Sequence, residues 1–237
     1  MQNRVFITGD THGNFRRVRE LCNKAETSKD DTLIILGDSG INYYTDLRRK
    51  RYIKEVAKLP ITLFCIHGNH EERAENIDSY IESQFWEGRV LIEEDYPSIK
   101  FALDGEIFNI PTTQGKKQAI VIGGAYSVDK YYRLQIGAKW YSSEQPSDKI
   151  KRKVEQILER ENQEIDIILS HTCPYKYIPR EWFLASIDQN TVDNSTELWL
   201  DTIQDNLKRY EKWYCGHYHG NKVIDKMVFM FEDIKEL

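Results

Sequence analysis

Cysteine is sparse and unpaired in this chain. Its four copies, Cys22, Cys65, Cys173 and Cys215, are scattered over 237 residues and form no Cys-x-x-Cys motif. Scattered cysteines in an unsecreted chain are expected to be reduced thiols rather than a disulfide framework. No charged leader and apolar core precede the first strand, so a cytoplasmic location is expected. No apolar run approaches the ~20 residues that cross a bilayer, which excludes a membrane helix. Positive charge is short as well: 33 Lys and Arg stand against 38 Asp and Glu, for a formal net charge of −5. Such a balance supplies no overall field for DNA or an acidic membrane. Internal repeats, low-complexity tracts and Gly-, Ser- or Pro-rich linkers are missing. The expectation is one domain over residues 1–237, with 40% apolar and 30% charged residues, an ordinary globular balance.

Histidine, by contrast, is concentrated. Five of the six histidines fall in four short motifs, each closing an apolar run that reads as a buried strand. Residues 4–9 lead into Asp10-Thr-His12, and 60–66 lead into Gly68-Asn69-His70-Glu71. Residues 165–169 lead into Ser170-His171, and 212–215 lead into Gly216-His217-Tyr-His219. A further run, 32–36, leads into Gly37-Asp38. Strands that deliver such groups at their ends gather them around one crevice, where α/β sheets bind ligands.

The first half alternates strand and helix. Strands over 4–9, 32–36 and 61–66 are followed by helical patterns near 14–25, 45–58 and 71–84, the second stopped by Pro60. This alternation predicts a largely parallel sheet with helices on its faces. Segments 99–103 and 106–110 alternate around Asp104-Gly105, a hairpin signal. Residues 118–124 read as a buried strand, 147–162 and 194–209 as helices, and 222–232 as a closing hairpin. The strands thus form one βαβ group and one group built mostly from hairpins, compatible with two packed sheets flanked by helices. The irregular stretches 125–146 and 172–193 are placed where substrate contacts usually lie.

Asp10 and His12, two apart in extended backbone, project from one face, and His217 and His219 repeat that geometry. Asp38 has two carboxylate oxygens with which to bridge two cations; Asn69 offers a carbonyl oxygen and His171 an imidazole. Seven such donors exceed one tetrahedral site and fit two ions roughly 3.5–4 Å apart. Taken singly, Asp10 and Asp38 also read as helix caps or turn formers, and any one histidine as a satisfied core residue. All five elements together, each at a strand end, point to a metal centre.

In this order the motifs D-x-H, G-D, G-N-H-E, a lone His after a strand and G-H-x-H resemble the calcineurin-like metallophosphoesterase superfamily, from Asp10 to His219. The resemblance implies a four-layer α/β/β/α sandwich of two mixed sheets with a dinuclear centre at the strand ends. It implies that Asp10, His12 and His219 hold one ion and Asn69, His171 and His217 the other, with Asp38 bridging. Two cations lower the pKa of a bridging water and polarise phosphoryl oxygens, so a phosphate ester is attacked by hydroxide. His70, beside a ligand but not one, is the candidate general acid or transition-state donor; a structural hydrogen bond to Glu71 or a neighbouring loop is the alternative. The resemblance favours Mn²⁺ or an iron-containing pair, and the donor set also accepts Zn²⁺.

The chain departs from the Ser/Thr protein phosphatases of that superfamily, whose second motif is G-D-x-x-D-R-G. Here Ile41 and Asn42 replace the second Asp and the Arg. The expected substrate is a phosphorylated small molecule or nucleotide, with a phosphoprotein, a phosphodiester or nucleic acid as alternatives. Replacement phosphate contacts are sought in the loop 123–133, which is similar to one in bacterial and phage metallophosphoesterases. Arg133 there has the fork geometry for phosphate oxygens, or is a solvated surface arginine. Asn14 reads as a helix cap rather than a phosphate contact. The run Arg48-Arg49-Lys50-Arg51 reads as an exposed helix face more than an RNA contact. An inactive scaffold is the contrasting class; it predicts missing ligands, whereas all seven positions and His70 are filled.

Overall fold

Within each buried strand, alternate residues face different layers. In β2 (Thr32–Ile35), Leu33 and Ile35 pack toward α1 (Arg16–Ala25) and α2 (Leu47–Val56), against Val18, Cys22, Ile53 and Val56. Ile34, with Leu36 just beyond, faces the opposite way, into a core shared with Phe108, Val121 and Leu169 of a second sheet. That second sheet turns Ile120, Ile122, Ile168 and Trp213 outward onto α4 (Asp148–Arg160) and α5 (Ser195–Asn206). Helices, sheet, sheet and helices therefore form four layers, and β2 and the other central strands, Val5–Thr8, Thr62–Cys65 and Ile167–Ser170, are buried on both faces because both are covered. The computed structural model describes residues 3–183, 185 and 187–237.

The first sheet runs β13 (Ile234–Glu236), β1 (Val5–Thr8), β2, β3 (Thr62–Cys65), β6 (Ile99–Ala102), β5 (Gly88–Glu93), β4 (Tyr80–Phe85). The second runs β11 (Lys222–Ile224), β12 (Met227–Phe229), β10 (Lys212–Cys215), β9 (Ile167–Ser170), β8 (Gly115–Ile122), β7 (Ile107–Thr112). Both are mixed, as the motif resemblance implies. No helix among the described residues is long and apolar enough to cross a membrane.

Several sequence expectations are corrected. The helix expected over 71–84 is absent: Ala74–Asn76 make one 3-10 turn, and the chain then enters the β4–β5 hairpin. Its loop is Trp86-Glu87, with φ +49° and +68°, a pair of left-handed residues whose twist suits a two-residue hairpin. The hairpin expected around Asp104-Gly105 is instead a crossover between sheets. β6 pairs with β3 and β5, while β7 pairs with β8. The Asp104 carboxylate accepts from Gly123 N at 2.5 Å and from Arg73 Nη1 at 2.6 Å, so it ties the crossover to distant loops. Nor is the second sheet mostly hairpins: β8, β9, β10 and β12 are parallel neighbours. The stretch 125–146 contains a short helix, α3 (Lys130–Ile136), and β13 returns to pair antiparallel with β1.

Candidate metal centre

The strand ends that carry the motifs are laced together by backbone. Thr11 and His12 donate to the Asp38 carbonyl at 3.2 and 2.8 Å, Gly13 N donates to Ser39 O at 3.0 Å, and Gly216 N to His171 O at 2.9 Å. The motif glycines make this approach possible. A Cβ on Gly37 would overlap the His171 ring, one on Gly68 the Asp38 carboxylate, and one on Gly216 the Asp10 carboxylate. Each motif thus leaves room for a donor supplied by another.

All seven expected ligands converge. Asp10, His12 and His219 form one cluster and Asp10, Asp38 and His171 another, the donor atoms of each lying within 4.8 Å of one another. Asp10 Oδ1 accepts from His217 N at 2.9 Å, and Asp38 Oδ1 from His70 N at 2.8 Å. Their Oδ2 atoms are buried with no hydrogen-bond partner. Asp10 Oδ2 stands 3.3 Å from His219 Nε2 and 3.6 Å from His12 Nε2. Asp38 Oδ2 stands 3.8 Å from both His12 Nδ1 and His171 Nε2.

The tautomer of His171 sharpens this picture. Its Nδ1 lies 2.8 Å from Leu36 O, which can only accept, so Nδ1 carries the proton of the neutral ring. Nε2 then presents a lone pair 2.7 Å from Asn69 Oδ1. That oxygen is also 3.0 Å from His217 Nδ1, while Asn69 Nδ2 donates to Ser127 Oγ at 2.9 Å. The His171 and Asn69 acceptors therefore face each other in a buried place, alongside two unpartnered carboxylate oxygens. A divalent cation satisfies such a cluster; the donor set fits the metals implied by the sequence.

Backbone strain is concentrated here too. His12, Asp38, His217 and His219 have φ of +45°, +48°, +67° and +50°, the left-handed region that non-glycine residues rarely adopt. Electrostatics follow the crowding. Burial, then Asp10 and Glu71, push the Asp38 carboxyl well above the usual range. For Asp10, burial also acts upward, but His219, His171 and His12 outweigh it and the group is lowered. The adjacent Asp10 carboxylate raises His219, whereas burial lowers His12 and His217. Burial, then Arg133 and His12, lower His70 to about 3.

His70 lies at the centre, its ring centroid 5.7 Å from that of His12. The alternative bond to Glu71 is not made: Glu71, fully buried, accepts from Ser39 N at 3.1 Å and Ser39 Oγ at 2.7 Å. Arg133 lines the same cavity as His12 and His70, with a side chain 18% exposed and Nε held by Asp129 Oδ2 at 2.7 Å. The basic run divides. Arg49 is buried and bonds Asn42 Oδ1 at 2.9 Å and Glu93 at 2.5 Å, while Arg48 stays exposed. Ile41 joins the helix-side core, and Asn42 also accepts from Tyr80 OH at 3.0 Å, so neither faces the centre. Asn14 Oδ1 accepts from Arg16 N at the head of α1, 3.1 Å away.

Two supports escaped the sequence reading. Glu71 is readable as part of G-N-H-E, but the partner the sequence offers for it is His70, whereas it binds Ser39. Arg17, on the first turn of α1, donates from Nη2 to Gly9 O at 3.0 Å and Asp10 O at 2.6 Å. No local pattern signals that contact, since it depends on how α1 lies under the Asp10 loop.

A family model described as calcineurin-like phosphoesterase matches residues 3–228. No match is found among curated proteins. Among solved structures, the crystal structure of TT1561 of Thermus thermophilus is similar at a TM-score of 0.52 and 10% identity, covering 100% of this chain and 98% of that one. At that identity the likeness concerns the fold alone. A second solved structure, 14% identical over 97% of this chain and 90% of its own, has a TM-score of 0.49, too low to carry an argument.

Proposed function

Because the chain belongs to the calcineurin-like phosphoesterase family, we propose that it is a phosphoric ester hydrolase working with two divalent cations, Mn²⁺ foremost. The observation that carries this reading is the acceptor cluster: two buried carboxylate oxygens without partners, and Asn69 Oδ1 facing His171 Nε2 and His217 Nδ1.

Asp10, His12 and His219 would hold one ion, Asn69, His171 and His217 the other, and Asp38 both. When bound, the pair supplies a nucleophile from water near neutral pH and positive charge for the phosphoryl oxygens. The chain's own residues do the rest. The Leu36 carbonyl fixes the His171 ring, and Ser127 turns the Asn69 oxygen inward. Glu71 clamps the turn after Asp38 through Ser39. Arg133 stands beside His12 and His70, where its guanidinium meets a phosphate oxygen. His70, its main chain anchored on Asp38 Oδ1, offers the ring N–H of a neutral imidazole to the departing oxygen.

The substrate is a phosphorylated small molecule or nucleotide. Inward-turned Ile41 and Asn42 lend nothing to a protein phosphatase reading. The four cysteines, free and buried, support a cytoplasmic setting.

The deciding experiment is metal analysis beside hydrolysis of p-nitrophenyl phosphate and bis-p-nitrophenyl phosphate, with Asp38→Asn as the background. The expected result is close to two equivalents of metal and Mn²⁺-dependent turnover, both reduced in the variant. In the presence of chelator the variant should melt higher than the parent, because a buried carboxylate with one unpartnered oxygen is gone. Metal-loaded protein that cleaves neither ester would overturn the reading.

A further inference from the structure

Two cavities open onto the centre and share one wall, made by Asp38 and His70. The smaller, ≈ 540 Å³, meets the centre at His12 and is otherwise lined by Tyr43, Tyr44, Arg48 and Arg133 among others. The larger, ≈ 730 Å³, meets it at Asn69, His217 and His219 and extends over Trp182, Phe183 and Val192. Of the first ion's candidate ligands, His12 fronts the smaller cavity and His219 the larger, while Asn69 and His217 of the second ion's set front the larger.

The cavities differ in chemistry. The smaller holds two arginines. Arg48 lies 3.9 Å over the Tyr44 ring, which packs edge-to-face on Tyr43 at 4.9 Å. Asp46 grips Arg48 through Nε and Nη2, and among the described residues Arg48 Nη1 makes no hydrogen bond. Arg133 is held through Nε by Asp129 and through Nη1 by Lys139 O, with Nη2 likewise unused. This lobe offers stacking surface and fixed positive charge, a fit for a ring bearing an anionic group. The larger lobe contains no Lys or Arg among the described residues and carries Asp129, Asp193 and Glu197 beside its apolar wall. Without a Lys or Arg to hold an anion, it accepts an uncharged, apolar group.

Resting on the phosphoesterase reading, we infer that the substrate is an unsymmetrical phosphodiester. Its reacting phosphorus sits at the Asp38–His70 wall, a nucleotide-like arm lies on Tyr44, Arg48 and Arg133, and an uncharged apolar arm lies on Trp182 and Phe183. A monoester would leave one lobe empty. In the reaction, water oxygen bonds to phosphorus, the P–O bond to the apolar arm breaks, and that oxygen leaves as an alcohol. The proton it gains balances the one lost by water, and a nucleotide-like monoester remains in the arginine lobe.

The test compares Mn²⁺-loaded protein on p-nitrophenyl phosphate, bis-p-nitrophenyl phosphate and the p-nitrophenyl ester of thymidine 5′-monophosphate. The nucleotide diester is expected to show a kcat/KM at least about tenfold above the monoester. Arg48→Ala and Tyr44→Ala should each cut that ratio about tenfold, mainly through KM. Calorimetry supplies a readout apart from turnover: the Kd of thymidine 5′-monophosphate for the loaded protein should rise about tenfold in Arg48→Ala. Both positions lie outside the core, so the variants fold. A monoester hydrolysed faster than either diester overturns this inference and leaves the phosphoesterase reading standing. Loaded protein inactive on all three esters overturns both. A diester preference that Arg48→Ala and Tyr44→Ala leave unchanged overturns the assignment of the arms.

Discussion

Gly68 lies against the side chain of Asp38 so closely that a Cβ at residue 68 would overlap Asp38 Oδ1 and the Asp38 main-chain nitrogen. Two strand ends touch there with no room for a methyl group, and the carboxylate is aimed by that contact. Gly68→Ala should therefore displace Asp38, lowering bound metal below one equivalent while the circular dichroism spectrum stays that of a mixed α/β fold. Unchanged metal content would show that the strand ends can part without moving the carboxylate.

His70 contributes its main-chain N–H to Asp38 Oδ1 but makes no side-chain hydrogen bond among the described residues. His70→Ala keeps the main-chain bond and loses the ring. Metal content is expected to hold near that of the parent while hydrolysis slows about 10²–10⁴-fold, most for esters with basic leaving groups. A parallel loss of metal would make His70 a ligand instead.

Arg73 and Asp104 form a buried pair, Nη1 to Oδ2 at 2.6 Å, with Arg73 Nε also donating to Ser143 O at 2.9 Å. Removing one partner strands the other charge. Arg73→Ala should destabilise by about 3–5 kcal/mol in denaturant melts. Arg209→Ala, which breaks solvent-screened contacts to Glu164 and Asp166, should leave the melt close to the parent's. Equal effects would refute the role given to burial.

Glu197 is buried, accepts from Thr172 Oγ1 at 2.8 Å and leaves Oε2 without a partner. Burial is the main cause that raises it from 4.5 to about 7. The folded protein thus binds this proton more tightly than the unfolded chain. The group's contribution to stability declines as pH rises between those two values and is flat above them. Glu197→Gln removes the decline, so the melting temperature of the variant relative to the parent should climb over that interval. A difference independent of pH would refute the assignment.

Strands and helices whose period is set by burial on both sides were legible. β1, β2 and β3 with α1 and α2 lie where apolar runs and helical spacing put them, and the seven candidate donors sit together at strand ends. What sequence hid was pairing decided at a distance. Residues 71–84 carry enough charge to suggest a helix, yet Val90 and Ile92 reach the core between the sheets and draw Tyr80–Phe85 into a hairpin. Asp104-Gly105 has hairpin chemistry, but Arg73, from a segment far away in sequence, takes the carboxylate. Arg17 and the inward turn of Arg49 likewise depend on which element lies beneath, information absent from any local window.

His12 and His219 approach to 2.9 Å although 207 residues separate them. On the ribosome, Asp10, His12, Asp38 and Asn69 emerge long before Gly216–His219 exists. The helix-backed half of the first sheet can consolidate early around Phe6, Leu33 and Leu63, since its partners are near in sequence. The donors at its edge must wait for the second sheet to dock, so a nascent chain presents only a fraction of the ligand shell to passing cations. Under the proposed reading, an ion would be held by the full cluster only in chains whose late-made segment has arrived and closed it.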